Sequence, residues 1–204
     1  MSGGRHKLLL PLDGRPVLVH VIDAALASQA RPIIIVLGHE ADEVRAHITS
    51  YTSRRDITIV ENEKYLQGMS TSMRLGVQLL ISNGYKKHDS PSEVDSALIV
   101  LGDQPMITLK IIDTLITTYR ATGKHIVAPL YDGKRGSPVL FDVSLFPELL
   151  EVTGDEGGRS VLERHPQEVE LVEMSDALAN YDIDTWEAYQ RALEAWGNRR
   201  SEYM

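Results

Sequence analysis

Short apolar runs rich in β-branched residues recur along the chain and constrain its fold more than any other feature. These runs are PIIIVL (32–37), DITIV (56–60), SALIVL (96–101), HIVAP (125–129) and VELVE (169–173). The apolar letters of IIIVL and ALIVL are continuous rather than alternating, which is typical of strands buried on both faces of a parallel sheet. Segments with helical periodicity lie between the runs, at 16–28, 41–50, 70–82 and 108–120. This alternation predicts βαβ units within a three-layer α/β domain.

A last helix is predicted over about 185–197, where large apolar residues recur at helical spacing. They are Trp186, Tyr189, Leu193 and Trp196. We interpret this stripe as core packing rather than as a ligand platform. The predicted organisation is a single domain over residues 1–197, followed by a C-terminal tail at 198–204.

The charge balance restricts the classes of partner. The chain has 204 residues, a formal net charge of −8 and a Cys count of 0. An acidic chain without a basic face argues against nucleic-acid binding and against binding to anionic membranes. The sequence shows no secretory signal and no apolar run of membrane-spanning length, and the lack of Cys fits a cytoplasmic protein. A small polyanionic substrate needs only a few cations; Arg5, Lys7 and Arg15 could supply them, although charge alone favours a solvated basic terminus.

Gly102 and Asp103 follow the run SALIVL, within the segment LGDQP. Ligands of open α/β sheets bind beyond the carboxyl ends of the strands, and carboxylate oxygens suit Mg²⁺. Asp103 could instead cap the next helix, but Thr108 is the better cap because the apolar period begins only after it. We therefore predict Asp103 as a metal ligand.

A pair of acidic residues, Asp182 and Asp184, flanks Ile183 just before the last predicted helix. In an extended segment both carboxylates face one side, where they repel each other unless a cation or a donor lies between them. One of them, or Thr185, could cap the helix while the other binds metal. The pair becomes a stronger signal when it is taken together with Asp103.

Polar segments near predicted turns supply weaker signals. The helix start at Ser70–Ser72 could offer backbone N–H groups to an anion, and Arg159 could bind phosphate or carboxylate. The dipeptide Asp132-Gly133 predicts a hairpin turn, and a second bend follows at 136–138. Each segment also has an ordinary structural interpretation, as a helix cap, a hairpin tip or a surface loop.

In this order, these segments resemble the molybdenum cofactor nucleotidyltransferases, and most closely the MocA-like cytidylyltransferases of the MobA-like NTP transferase family. The resemblance runs from Lys7 to about Tyr189. The matching segments are GRHKLLLPLDGRPVLVHVI, VLGH, ENEKYLQGMSTSM, LGDQP, APLYDGKRGSPVLF, GDEGGR and DIDTWEAY. The resemblance implies a Rossmann-like nucleotidyltransferase fold with a mostly parallel central sheet. Trp186 stands where the family usually has Pro, a departure that should leave the carboxylates unaffected.

The resemblance also implies a reaction. A terminal phosphate of molybdenum-bound molybdopterin attacks the α-phosphate of CTP and releases pyrophosphate, with Mg²⁺ as the cofactor and a molybdenum hydroxylase-type enzyme as recipient of the product. By position, Lys7 matches the lysine that contacts the nucleotide phosphates, Asp103 matches the metal-binding aspartate, and Asp184 with Asp182 matches a second metal or pterin contact. Further matches on the nucleotide side are Asn62, Gln67, Gly68 and Ser72. Matches on the pterin side are Gly136, Pro138 and Arg159.

The first residues match only the end of the family's opening motif. Members begin with a strand and a loop of the type L-A-A-G-x-S-x-R-M-G-x-x-K, and Gly4 and Lys7 keep the G-x-x-K spacing. We therefore expect the first strand and most of the glycine-rich loop to be missing, through a late start codon or a shortened chain, and activity to be impaired. If no such strand is encoded upstream, a degenerate, non-catalytic homologue becomes the expectation.

Alternative functions stay open at this point. One is a nucleotidyltransferase of the same family that uses GTP or another acceptor, since part of the base selection would lie in the missing loop. Another is a non-catalytic chaperone that binds the finished molybdenum cofactor. A plain α/β scaffold would show no Mg²⁺-dependent nucleotide binding.

Overall fold

The computed structural model describes residues 6–82 and 94–202, with side chains up to residue 198. The strands are β1 (Pro11–Leu12), β2 (Arg15–Pro16), β3 (Ile33–Leu37), β4 (Ile57–Glu61), β5 (Ser96–Ile99), β6 (Ile126–Tyr131), β7 (Lys134–Arg135), β8 (Val139–Asp142) and β9 (Val169–Met174). The helices are α1 (Val17–Ala27), α2 (Ala41–His47), α3 (Met69–Ser82), α4 (Leu109–Thr122), α5 (Phe146–Glu151), α6 (Arg159–Arg164) and α7 (Trp186–Glu202). All of the predicted runs contain strands, and the α/β fold class is confirmed. Of the helices described, none is both long enough and apolar enough to cross a membrane.

The strands form a mixed sheet system in which the two longest ladders are parallel. These are β3 with β4 and β6 with β9. Strand β8 lies between β5 and β6 and is antiparallel to both. The chain reverses its direction in the hairpin between β6 and β7, and β8 then runs antiparallel to β6 as β7 does. The continuous apolar run of β5 therefore pairs antiparallel with β8 within the described residues, which its composition alone did not predict.

Helices cover both faces of the sheet. Ile126 and Ala128 of β6, with Phe141 of β8, pack in one cluster with buried residues of α3, α5 and α6. Val127 and Leu140, their neighbours in sequence, pack with α4 in another cluster. Because successive strand residues point to opposite faces, this division places helices above and below the sheet. The predicted three-layer arrangement is confirmed.

The last helix, α7, contacts the core through a narrower face than predicted. Tyr189 is 5% exposed and packs with α1 and with the segment after β5, and Trp196 lies at the edge of the same cluster. Trp186 is 54% exposed and Leu193 is 40% exposed, so the core-packing prediction is wrong for these two residues. Ala192, which precedes Leu193 in sequence, is buried and packs in the same cluster as Tyr189. The helix continues to Glu202, beyond the predicted end at 197.

Candidate functional site

Lys7 begins the first described turn, Lys7–Leu9. The His6 side chain caps this turn: its Nδ1 atom accepts a hydrogen bond of 3.3 Å from the Leu8 backbone N–H. Leu8 and Leu9 pack against the cluster formed by α1, α2, β3 and β4. Packing of Leu8 and Leu9 therefore holds the backbone of Lys7 in place, while the Lys7 side chain extends away from this apolar cluster.

Asp103 lies in the segment that leaves β5. The preceding residue, Gly102, packs so closely that a side-chain carbon there would lie 3.1 Å from Cδ1 of Leu18 and 3.7 Å from Cδ2 of Leu8. The absence of a side chain thus lets this segment approach the turn that carries Lys7. The Asp103 side chain is 16% exposed, so its carboxylate is largely shielded from water.

A single ammonium group bridges two of the predicted carboxylates. Nζ of Lys7 lies 2.6 Å from Oδ2 of Asp103 and 2.6 Å from Oδ1 of Asp184. The backbone fixes this arrangement, because the N–H of Ile183 donates to the carbonyl of Asp103 at 3.1 Å and the Ile183 side chain is buried. Burial acts to lower the pKa of Lys7, but the hydrogen bonds and charges of both carboxylates outweigh it and raise the pKa above its ordinary value.

Asp182 has a different partner from its neighbour. Its Oδ1 accepts a hydrogen bond of 2.6 Å from Nε2 of Gln104, a side chain that is only 2% exposed. Burial raises the pKa of Asp182, and the nearby charges of Asp103 and Asp184 raise it further, against the hydrogen bond from Gln104 and the charge of Lys7. The structure therefore brings Asp184 to the lysine and ties Asp182 to the amide.

The donor set fits a divalent metal that also binds phosphate. In the part of the chain that the structure describes, no group of three or more His, Cys, Asp or Glu residues converges as a closed metal cage. Mg²⁺ is commonly held by one or two carboxylates together with water and substrate phosphates. Two carboxylate oxygens that already share one cation, Lys7, match that kind of open site.

The predicted nucleotide-side residues form a second polar cluster at the start of α3. The Asn62 side chain is buried, and its Nδ2 donates to the hydroxyls of Thr71 at 2.8 Å and Ser72 at 2.9 Å. Its Oδ1 accepts from the N–H of Lys64 at 3.0 Å. The side-chain hydrogen bonds of Asn62 thus connect the end of β4 to the first turn of α3. Gln67 ends the adjacent turn, Tyr65–Gln67, next to Gly68.

The loop before α6 covers the start of α3. The N–H of Met69 donates to Oδ1 of Asp155 at 2.9 Å, and the N–H of Ser70 donates to the carbonyl of Gly154 at 3.0 Å. Gly68 has a φ of 105°, and a side-chain carbon there would lie 2.5 Å from the backbone of Gly154. The N–H of Ser70, which was predicted as an anion donor, is therefore occupied by the protein itself, as is the N–H of Met69 just before it.

The predicted pterin-side residues lie in two places. Gly136 lies against Asn180, whose Oδ1 accepts from the N–H of Ser137 at 3.2 Å, and Pro138 follows in the same bend. Arg159 lies at the start of α6 with a side chain that is 79% exposed, and its described ion pair is with Glu163 at 2.8 Å. The structure joins neither place to the Lys7 bridge by a described contact.

Three residues that hold these sites together are absent from the sequence-based candidates. They are Gln104, Asp155 and Asn180. Each lies in, or within about two residues of, a segment that carries the family resemblance. Its hydrogen-bond partner, however, lies far away in sequence. Only the position of Gln104, next to Asp103, offered a local signal.

The chain is similar to several known proteins over nearly its whole length. Nicotine blue oxidoreductase of Paenarthrobacter nicotinovorans is 28% identical to the chain over 198 residues, which are 92% of this chain and 87% of that protein. Molybdenum cofactor cytidylyltransferase of Escherichia coli strain K12 is 26% identical over 196 residues, 95% of this chain and 90% of the relative. The crystal structure of Rv0371C from Mycobacterium tuberculosis H37Rv in complex with manganese is similar with a TM-score of 0.70 and 25% identity, covering 95% of this chain and 94% of that one.

A protein-family model also matches most of the chain. The model of the MobA-like NTP transferase domain matches residues 1–169, a range that includes Lys7 and Asp103. Asp184 lies beyond the matched range but is joined to both residues through the ammonium bridge. The chain belongs to the MobA-like NTP transferase family.

Proposed function

We propose that this chain is a metal-dependent cytidylyltransferase that transfers CMP from CTP to the terminal phosphate of molybdenum-bound molybdopterin. An oxygen of the acceptor phosphate forms a bond to the α-phosphorus of CTP. The bond from that phosphorus to the oxygen bridging to the β-phosphate breaks, and pyrophosphate leaves. The observation that carries the proposal is the position of Lys7, 2.6 Å from both Asp103 and Asp184.

Each of the three residues has a role in this reaction. Asp103 and Asp184 would hold the Mg²⁺ ion, which when bound neutralises phosphate charge and acts as a Lewis acid. Lys7 binds oxygens of the triphosphate and stabilises the charge that develops on the leaving pyrophosphate. The backbone bond between Asp103 and Ile183 keeps the carboxylates in fixed positions, so that little reorganisation is needed during the reaction.

The two polar regions around this centre are assigned to the two substrates. We place the base and ribose of CTP on the side of the α3 start, where the candidate residues are Asn62, Gln67, Gly68 and Ser72. We place the pterin on the side of the residues Gly136, Pro138 and Arg159. The exposed guanidinium of Arg159 is suited to an anionic group of the acceptor. The recipient of the product would be a molybdenum hydroxylase-type enzyme.

Two of the similar proteins support parts of this proposal. The molybdenum cofactor cytidylyltransferase supports the choice of CTP and of a molybdopterin acceptor. The manganese complex of the Mycobacterium tuberculosis protein supports the use of a divalent cation. The similarity to nicotine blue oxidoreductase is as high as either, so identity alone leaves the substrate open and the test must address it.

The test is a pyrophosphate-release assay on the full chain with Mg²⁺ and molybdenum-bound molybdopterin. We expect release with CTP and much less with GTP. Asp103→Asn should reduce it by about 100-fold or more, whereas Asp42→Asn, an equal charge change at an exposed residue of α2, should leave it unchanged. Calorimetric titration with CTP and with GTP shows whether binding follows the same preference.

Other results would redirect the assignment. A preference for GTP keeps the family chemistry and changes the base. Binding of the finished molybdenum cofactor without binding of any nucleotide would overturn the transferase proposal in favour of a cofactor carrier.

A further inference from the structure

The charges of Asp103 and Asp184 share one counter-ion. Among the described residues, the ion pairs of both carboxylates run through Nζ of Lys7, at 2.6 Å each. Two neighbouring carboxylates repel each other unless a cation lies between them. Lys7 supplies that cation from within the chain.

A divalent metal held by the same two oxygens would need the space that Nζ occupies. Mg²⁺ lies about 2.0–2.1 Å from its oxygen ligands, so an ion contacting both carboxylates would be centred close to the ammonium nitrogen. Both the size of the ammonium group and the repulsion between two cations prevent simultaneous occupation. The metal and the lysine therefore compete for one position.

Between Lys7 and Asp103, the lysine is the one able to move. Asp103 is 16% exposed and its backbone is bonded to Ile183, whereas the Lys7 side chain is 38% exposed. A lysine ammonium is carried on a flexible four-carbon stem and can turn to another anion without a change in the backbone. Under the proposed function, that anion is the triphosphate that arrives with the metal.

We propose that Lys7 occupies the divalent-metal position in the free protein and must leave it before the metal binds. This inference rests on the proposed function for the identity of the second anion, the nucleotide triphosphate. Metal alone must displace Lys7 without offering it a new partner, and it binds weakly. Metal together with a triphosphate gives Lys7 a new anionic partner, and the two ligands bind cooperatively.

The test measures Mn²⁺ binding to the full chain in the absence of nucleotide, by electron paramagnetic resonance and by calorimetry. Lys7→Met removes the competing charge and keeps an unbranched side chain. We expect this variant to bind Mn²⁺ roughly tenfold more tightly than the unmodified protein, within the usual range of coupling between sites. Lys110→Met, at an exposed residue of α4, makes the same change in net charge and should leave Mn²⁺ affinity unchanged.

A second measurement adds a non-hydrolysable CTP analogue. In the unmodified protein the analogue should tighten Mn²⁺ binding by more than it does in Lys7→Met, because only the unmodified protein has a lysine to release. Lys7→Gln serves as a second variant, and circular dichroism verifies that both variants are folded.

The outcomes separate this inference from the proposed function. Equal or weaker Mn²⁺ binding by folded Lys7→Met and Lys7→Gln would overturn the competition, even if the unmodified protein binds CTP and turns it over as proposed. Tighter Mn²⁺ binding by both variants supports the competition, even if no nucleotide triphosphate proves to be a substrate. Failure of Mn²⁺ to bind any of the three proteins, with or without the analogue, would overturn the shared metal position itself.

Discussion

Two polar regions of this protein were predicted from the same family resemblance, but they use their polar groups differently. At the Lys7 bridge, opposite charges meet at 2.6 Å and the Asp184 side chain is still 65% exposed. At the start of α3, the buried Asn62 side chain and the backbone donors of Met69 and Ser70 are bonded to neighbouring protein groups. Charges that remain accessible can exchange partners with a ligand, whereas buried groups that satisfy one another stabilise the fold. We therefore expect substitutions to affect mainly activity in the first region and mainly stability in the second.

The largest effect should come from removing a carboxylate of the bridge. Asp103→Asn keeps the size of the side chain and removes the charge that would hold the metal. We expect nucleotidyl transfer to fall by about 100-fold or more, the range found when one charge-stabilising group is lost from an active site. Turnover is measured by pyrophosphate release, and the free energy of unfolding is measured in parallel.

The neighbouring acidic pair provides a matched contrast for that experiment. Asp184→Asn should reduce turnover far more than Asp182→Asn, because Asp184 contacts Lys7 whereas Asp182 contacts Gln104. Equal losses from the two variants would show that Asp182 reaches the reacting groups directly, against the difference in their contacts.

Next in size is the close contact between the α3 start and the loop before α6. Gly68→Ala places a methyl group against the backbone of Gly154 at a φ of 105°, which L-residues rarely adopt. We expect a loss of about 3 kcal/mol in the free energy of unfolding, measured in urea, from strain and steric overlap combined. Gly123→Ala is the control, since Gly123 also has positive φ, 64°, but has open space around it. It should lose only about 1 kcal/mol, and similar losses for both would mean that the contact contributes little.

The buried amide of Asn62 gives a smaller effect of the same kind. Asn62→Ala leaves the N–H of Lys64 and the hydroxyls of the first α3 turn without this partner. We expect unfolding to become easier by about 2 kcal/mol, the usual cost of leaving buried polar groups unpaired. Thermal and urea unfolding are compared with those of Gln78→Ala, an exposed position of α3 where alanine is a good helix former. A large loss of CTP affinity in a variant of unchanged stability would show that Asn62 acts on the nucleotide directly rather than by holding the start of α3 in place.

Local signals predicted the elements of the fold well. Thr108 caps α4, accepting a hydrogen bond from the N–H of Ile111, as its position before the apolar period indicated. Asp132 and Gly133 adopt φ values of 47° and 74° in the β6–β7 hairpin, as the Asp-Gly dipeptide predicts. These signals depend on residues close in sequence, and a single sequence contains them in full.

The same sequence contains much less information on which distant segments meet. Apolar content does not specify that β8 lies between β5 and β6, because each strand would bury equally well beside another neighbour. The partners of Gln104 and Asp155 lie far along the chain, and nothing in the local pattern identifies them. The family resemblance brought Lys7, Asp103 and Asp184 together because it carries three-dimensional information from other chains. It did not distinguish residues of the bridge from residues that are bonded internally.

The smallest predicted effect concerns a carboxylate that belongs to neither region. Asp142, at the end of β8, accepts hydrogen bonds from the Ser144 N–H at 2.8 Å and the Tyr119 hydroxyl at 2.6 Å. Burial acts to raise the pKa of Asp142, but these hydrogen bonds outweigh it and hold the pKa below its ordinary value. A carboxylate with a lowered folded-state pKa contributes stability that is complete above the unfolded-state pKa and is lost as pH falls through the folded-state value.

Tyr119→Phe tests whether this carboxylate behaves like the internally bonded groups of the α3 start. We expect a loss of about 1.5 kcal/mol in the free energy of unfolding at pH 7, where the acceptor is ionised, and a smaller loss at pH 3. Tyr131→Phe is the control, because the Tyr131 hydroxyl donates to the backbone carbonyl of Ser137, which does not titrate. Turnover at neutral pH should be unchanged by Tyr119→Phe. If the loss in stability is the same at both pH values, the hydroxyl contributes through packing or through its contact with the backbone carbonyl of Asp95, 3.1 Å away, rather than through the charge of Asp142.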